Sequence, residues 1–245
     1  LYHGHDASLE ELLKRADTAM YQAKQSGRNM VRFFESAMQV AVEARATLEG
    51  RLRHALARDE LELYYQAQVG EDGRITGAEV LLRWFNAEQG FVSPADFIPI
   101  AEDGGLILPI GAWVLESACA QLQQWSRQPV LCDLTLSVNV SARQFRQSGF
   151  VEQVALLLLR FGIQPEKLKL ELTESTVLLA DVDDTIARMG ALRALGVRFS
   201  MDDFGTGYSS LSYLKRLPLD QLKIDQSFVR ELESDSSDEV IVRTI

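Results

Sequence analysis

The sequence predicts an α/β fold in which strands and helices alternate and close into a (β/α) barrel. Three observations predict it. From residue 60 onward, short apolar strands alternate with helical stretches, the pattern of parallel βα units, and their number suits a closed barrel better than an open sheet. Polar or charged residues stand near the ends of successive strands, where the mouth of a barrel gathers them. No Gly-x-Gly-x-x-Gly follows the first strand, which disfavours a dinucleotide-binding sheet.

Composition sets the bounds. The 245 residues are 47% hydrophobic, enough for a full core. The formal net charge is −10, from 25 basic and 35 acidic residues, which argues against a DNA or RNA binder with a basic face. An anionic substrate would need cations to invert the local field. Cys119 and Cys132 form neither a disulfide framework nor a zinc pattern, and both read as buried spectators. The longest apolar run, 154–159, is too short to cross a bilayer. No signal peptide precedes the first helix. The chain is therefore expected to be soluble and cytoplasmic, in a reducing compartment.

Taken in order, the chain opens on Leu1 without an initiator methionine, which reads as a start inside a longer protein. Leu9, Leu12, Leu13, Ala16, Ala19, Met20 and Ala23 recur at helical spacing and predict a helix over 9–25, with Gly27 just beyond it. Met30 to Phe34 predicts one strand. One helix and one strand cannot bury a core alone. Residues 35–58 predict a connecting helix, rich in Ala, Glu and Arg, with Met38, Val42, Leu48, Leu52 and Leu56 along it. It suits an outer helix leading into the next domain, or a signalling helix between domains.

Strands follow over 61–69 and 75–84, across an Asp72-Gly73 turn. Ser93-Pro94-Ala95-Asp96 has the order of a helix start, with Ser as N-cap, Pro at the first turn and a carboxylate at the third position. Helices are expected over 94–102 and 109–127, then a strand over 134–140. A helix over 149–161 ends at Gly162, and a strand runs over 168–172. A helix over 182–195 ends at Gly196. The next strand, with Val197, Phe199 and Met201 alternating, is expected to stop on Asp202 and Asp203 and enter a loop with Gly205 and Gly207. A helical stretch near 209–216, a strand over 221–224 and a helix over 226–233 complete the pattern.

Adjacent like charges raise each other's pKa unless a cation lies between them. Asp202-Asp203 at a strand's end therefore reads as a metal site, although an Asx turn running into a helix cap explains the pair alone equally well. The series decides. Glu79, Asn139, Glu171, Asp202, Asp203, Lys223 and Asp225 all lie at or near strand ends within apolar runs, and a buried unpaired charge is costly. Oxygen ligands without Cys or clustered His select Mg²⁺ or Mn²⁺ over zinc. Two such ions side by side suit phosphoester hydrolysis.

Plainer roles exist for single members. Asp225 also suits an N-cap for the helix from Gln226, Arg83 a structural ion pair, and Trp84 and Phe85 the core. Asp203-Phe204-Gly205 matches the kinase magnesium motif, but neither a His-Arg-Asp loop nor a Gly-rich nucleotide loop accompanies it. A glycosidase pair of Glu171 and Glu174 leaves Asn139, the Asp pair and Lys223 unexplained.

Two resemblances follow from longer motifs. Ala16-Asp17-Thr18-Ala19-Met20-Tyr21-Gln22-Ala23-Lys24 with Gly27-Arg28-Asn29 resembles the C-terminal end of GGDEF diguanylate cyclase domains, without the Gly-Gly-Asp-Glu-Phe signature itself. Cyclase chemistry is therefore not expected here. Glu79-Val80-Leu81-Leu82-Arg83-Trp84, Asn139, Glu171-Leu172-Thr173-Glu174, Asp202 to Ser210 and Leu222-Lys223-Ile224-Asp225 resemble EAL-type cyclic-di-GMP phosphodiesterases in order and spacing, from about residue 48 onward.

The resemblance implies a TIM-like (β/α) barrel of EAL type and hydrolysis of cyclic-di-GMP to linear pGpG in bacterial signalling. It implies that Glu79, Asn139, Glu171 and Asp202 hold a first Mg²⁺ or Mn²⁺, and that Asp202 bridges to a second beside Asp203. It implies that Lys223 orients the attacking water and phosphate with support from Asp225, that Gln66 and Arg83 touch substrate, and that Glu174 anchors the Gly-rich loop and couples to a homodimer. The implied division is 1–34 as a GGDEF remnant, 35–58 as the connecting helix and 59–245 as the EAL domain, with further GGDEF and sensory segments upstream. Such upstream segments could also anchor the parent to a membrane.

The sequence departs from the family in places. Glu79-Val80-Leu81 stands for Glu-Ala-Leu, and Tyr65-Gln66-Ala67 for Tyr-Gln-Pro; neither change touches a ligand. The later Ala-Glu-Gly-Val-Glu segment and Gln-Gly motif are absent, and residues 59–245 fall short of the roughly 250 residues of such a barrel. The expectation is a C-terminally incomplete barrel with an open edge and weak or no turnover alone. The alternatives are a degenerate domain that binds cyclic-di-GMP and regulates a partner, and a dimerisation module built on residues 35–58.

Overall fold

The computed structural model describes residues 8–25, 29–178, 182–205 and 214–230. Two helices lead in: α1 (Leu9–Gln25) and α2 (Ser36–Ala55). A seven-stranded sheet then alternates with helices. Its members are β1 (Leu61–Val69), β2 (Ile75–Asn86), β3 (Gly90–Val92), α3 (Pro94–Gly104), α4 (Ile107–Trp125), β4 (Thr135–Asn139), α5 (Ala142–Phe145), α6 (Phe150–Phe161), β5 (Leu168–Thr173), α7 (Glu174–Leu178), α8 (Val182–Ala194), β6 (Arg198–Phe204), β7 (Gln221–Ile224) and α9 (Gln226–Arg230). A short 3-10 turn, Pro165–Lys167, precedes β5. No single helix among the described residues is long and apolar enough to cross a membrane.

The strand order is β1-β2-β4-β5-β6-β7, with β3 paired to the far end of β2. From β2 to β7 every step along this path is parallel, so each crosses over outside the sheet. The first pair departs from the expected parallel units, because β1 runs antiparallel to β2. Only residues 70–74 join them, too few for a crossover, so a hairpin forms. The path ends at β1 and β7, which do not pair with each other among the described residues.

Alternation along each strand sorts the side chains. In β5, Leu168, Leu170 and Leu172 are fully buried on one face, and Lys169, Glu171 and Thr173 share the other. In β4, Leu136 and Val138 alternate with Ser137 and Asn139 in the same way. The apolar face joins a single core that includes Phe97, Leu115, Phe145, Phe150, Met189 and Phe199. Trp84 belongs to this core: it is fully buried, edge-on to Phe97 at 5.5 Å, and its Nε1 donates to Glu60 Oε2 at 2.9 Å.

Several expectations need correction. No strand forms over 30–34; residues 31–35 carry no ladder because no described strand lies beside them. Ser93 is the N-cap of α3 but makes no side-chain cap bond, so Pro94 and Asp96 carry that helix start. Cys119 is buried, and that burial pushes its thiol up to about 12, but Cys132 is partly exposed and donates to Pro129 O. β6 does not stop on the aspartates. It runs through them to Phe204, with a register shift against β7 between Met201 and Phe204. Elements β3, α5 and α7 are short and had no periodic signal. Gly27, the loop and helical stretch over 206–213 and the final residues 231–245 lie outside the described residues.

Candidate metal centre at the strand ends

Strands β4, β5, β6 and β7 bring their carboxyl ends together through parallel register, beside Glu79, which lies in the middle of β2 rather than at its end. Asn139 pairs with Glu171 across β4 and β5, and Thr173 with Asp202 across β5 and β6. Each acidic residue follows an apolar neighbour that is held in the core, so the packing of one face fixes the position of the charge on the other.

The charges converge on Lys223. Its Nζ donates to Glu171 Oε2 at 2.8 Å, to Glu79 Oε2 at 3.0 Å and to Asp202 Oδ2 at 3.0 Å. Asn139 Nδ2 donates to the other Glu79 oxygen at 2.8 Å. Glu79, Glu171 and Asp202 each bring a carboxylate oxygen within 4.8 Å of the others. Burial opposes the charge on Lys223, but its bonds to Glu171, Glu79 and Asp202 outweigh it and raise the pKa. Burial also raises Glu171, reinforced by Glu79 and Asp202 and opposed by Lys223. Glu171 Oε1 is buried with no hydrogen-bond partner among the described residues.

Asp203 turns the strand. Its φ is 53°, left-handed and strained for most residues but tolerated by Asp. This breaks the alternation, so two consecutive carboxylates serve one mouth. Burial and then the neighbouring Asp202 and Asp225 raise the Asp203 pKa. Asp225 sits below its ordinary value, chiefly because Ser227 donates to it. The Ser227 N–H reaches Asp225 Oδ1 at 2.8 Å, and the Ser227 hydroxyl donates to the same oxygen. Asp225 thus caps the start of α9 and faces Asp203 at once.

The remaining sequence-predicted residues surround this cluster. The Gly205 N–H donates to Glu174 Oε2 at 3.2 Å, so Glu174 holds the start of the Gly-rich loop. Gln66 is exposed and stands opposite Glu79 in the β1–β2 register. Among the described residues, Arg83 does not form the structural ion pair its sequence allowed. It donates to Leu82 O at 2.9 Å and lies 5.7 Å over the Tyr64 ring. Gln144 was not singled out in the sequence. Its signal is the spacing Ser141-Ala142-Arg143-Gln144, a capping-box pattern, of which the structure forms the bond from the Gln144 N–H to Ser141 Oγ at 3.2 Å.

The donor set fits a hard divalent cation. Three carboxylates face one ammonium, which leaves an excess of two negative charges in a half-buried site. Further positive charge is the physical remedy, and an all-oxygen set favours magnesium-like ions over zinc.

Comparisons with known proteins bear on the family and the fold. The family model described as EAL domain matches residues 49–245. The bifunctional diguanylate cyclase/cyclic di-GMP phosphodiesterase MucR of Pseudomonas aeruginosa is 46% identical over 246 residues, covering 100% of this chain and 36% of MucR. The cyclic di-GMP phosphodiesterase NbdA of the same organism is 40% identical over 249 residues, covering 100% of this chain and 31% of NbdA. A solved structure described as PaMucR phosphodiesterase, c-di-GMP complex, superposes with a TM-score of 0.77 at 46% identity, covering 81% of this chain and 80% of that one. The cGMP-bound EAL enzyme Bd1971 gives 0.76 at 32% identity, covering 98% and 62%. The chain thus spans about a third of the length of these curated relatives.

Proposed function

The chain belongs to the EAL domain family, whose fold is a TIM-like barrel, and from that footing we propose that it hydrolyses one phosphodiester of cyclic-di-GMP to give linear pGpG. The observation that carries the reading is the convergence of Glu79, Glu171 and Asp202 on Lys223. Glu79, Asn139, Glu171 and Asp202 would hold one Mg²⁺ or Mn²⁺, and Asp202 with Asp203 a second. When bound, such ions neutralise phosphate charge and acidify water.

The chain's own groups do the rest. Lys223 supplies a fixed positive charge beside the carboxylates, suited to orienting a phosphate oxygen and an attacking water. Asp225, held by Ser227, fixes the neighbouring Asp203. Arg83 and Gln66, at the rim, bind the dinucleotide. Glu174 holds the loop that begins at Gly205. The parent is further read as a cytoplasmic signalling protein, with no DNA or RNA partner. It would dimerise through this domain and carry GGDEF and sensory segments upstream, 1–34 being the end of the former, 35–58 the connecting helix and 59–245 the catalytic domain.

The test is incubation with cyclic-di-GMP and Mn²⁺ or Mg²⁺, with chromatography for pGpG. Product is expected from the full-length parent and should vanish with chelator and with Glu79→Ala. Product that survives both would overturn the reading. Tight binding of the dinucleotide by the parent without product would assign it instead as a binding-only regulator.

A further inference from the structure

We propose that Gln144 is a positioning residue for Glu171, acting through water held in a cavity that both residues line. The inference rests on the metal-centre reading above. The cavity measures about 280 Å³, and its wall includes Leu81, Ile110, Gly111 and Val140 beside Gln144 and Glu171. The wall is mainly apolar, so its few polar atoms stand out.

Two of those atoms are complementary. Gln144 is 2% exposed and Glu171 1%, and among the described residues neither Gln144 Nε2 nor Glu171 Oε1 has a hydrogen-bond partner. One is a donor and the other an acceptor. Native proteins leave few buried polar groups unpaired, and a cavity of this size admits water that accepts from one and donates to the other. Glu171 Oε2 is already engaged by Lys223 at 2.8 Å, toward the carboxylate cluster. Oε1 is therefore the oxygen left for a second partner.

Gln144 is held for this task from two directions. Its backbone N–H is fixed by Ser141 Oγ at 3.2 Å, directly after the strand that ends on Asn139. On the other side it lies against Gly111 of α4, where an added Cβ would fall 2.3 Å from Gln144 Oε1. The amide occupies space that any other residue at position 111 would fill. Carboxylates that ligate metals are commonly oriented by such outer hydrogen bonds, and their loss weakens metal binding.

The experiment measures Mn²⁺ affinity without nucleotide, by calorimetry and by the electron paramagnetic resonance signal of free Mn²⁺, in this chain and in Gln144→Met. Methionine keeps the length and removes both polar atoms. The expected result is affinity about 10- to 100-fold weaker, with the metal-free melting temperature in chelator unchanged or modestly lowered, because the space stays filled while the bridge to Glu171 is lost. A residue that only fills space would leave both the metal-free melting temperature and the Mn²⁺ affinity unchanged, because methionine fills the same space. Affinity within about twofold of wild type would overturn the inference and leave the metal centre standing. Gly111→Ala, which displaces the same amide, should weaken Mn²⁺ in the same direction. Failure of the unmodified chain to bind Mn²⁺ would overturn the metal centre and this inference together.

Discussion

Replacing Lys223 by methionine should destabilise the metal-free protein in a pH-dependent way and leave metal binding intact. The ammonium touches three carboxylates at 2.8 to 3.0 Å, and none of the four side chains is more than 23% exposed. Without it, three like charges share a site whose oxygens lie within 4.8 Å. At an effective dielectric of 20 each pair then repels by about 3.5 kcal/mol. Protonation limits this cost. Neutralising one glutamate at pH 7 takes roughly 3.7 kcal/mol, from an ordinary pKa near 4.3 and about 1.36 kcal/mol per unit. The loss should thus be about 3–5 kcal/mol, as for other broken buried pairs, or roughly 10 °C in melting temperature. Burial already raises the Glu171 pKa, and the variant loses the Lys223 bond that opposes this rise. The Glu171 penalty is full at pH above its raised folded value and fades as pH falls from there toward the unfolded one, by about 1.4 kcal/mol per unit. Thermal melts in chelator at pH 7.5 and 5.5 measure this. Mn²⁺ should then restore most of the loss, since it replaces the missing charge, while pGpG formation stays absent. Coincident melts of variant and wild type in chelator at both pH values would refute the electrostatic account.

Other expectations are as direct. Glu174→Ala removes the acceptor for the Gly205 N–H and should abolish turnover while Mn²⁺ affinity, read by calorimetry, stays within about threefold. Glu60→Ala orphans the buried Trp84 Nε1–H and the Asn86 amide, at roughly 1–3 kcal/mol per donor, read by urea melts. Those two bonds hold Glu60 below its ordinary pKa against the opposing effect of burial, so its contribution is present above about pH 4.3 and lost as pH falls through the lowered value. A urea series from pH 7 to 3 should show the wild-type advantage over Glu60→Ala shrinking only at the acid end. Gly205→Ala places a Cβ 2.8 Å from the Phe228 ring at a φ of 100° and should cost about 1–3 kcal/mol, with turnover falling further than stability.

The fold was legible where a repeating pattern ran long enough to be read. Leu61–Val69 and Gln221–Ile224 have the bounds that their sequence predicts, and α6 ends where Gly162 predicted. The failures are local. The β1–β2 hairpin is set by a five-residue connection, and alternation says nothing of strand direction. Met30 to Phe34 has strand-like composition, but a strand exists only where another lies beside it. Elements such as α5 and α7, with four and five residues, complete barely one turn, so no periodicity can announce them.

The site was legible for a different reason. Glu79, Glu171, Asp202 and Lys223 stand out because charge inside apolar runs is expensive and must be answered by something. The sequence therefore exposes the groups that break its own pattern. It cannot expose how they meet. The irregularity at Asp203, a positive φ with a register shift against β7, is what lets neighbouring aspartates share one mouth. Gln144 breaks no pattern at all: a glutamine one turn into a short helix is unremarkable until both neighbours are in place. Only the approach of Gly111 and the buried oxygen of Glu171 give it a partner and a purpose. Residues that carry charge are found from the cost of burying them, and residues that orient charge from the space around them.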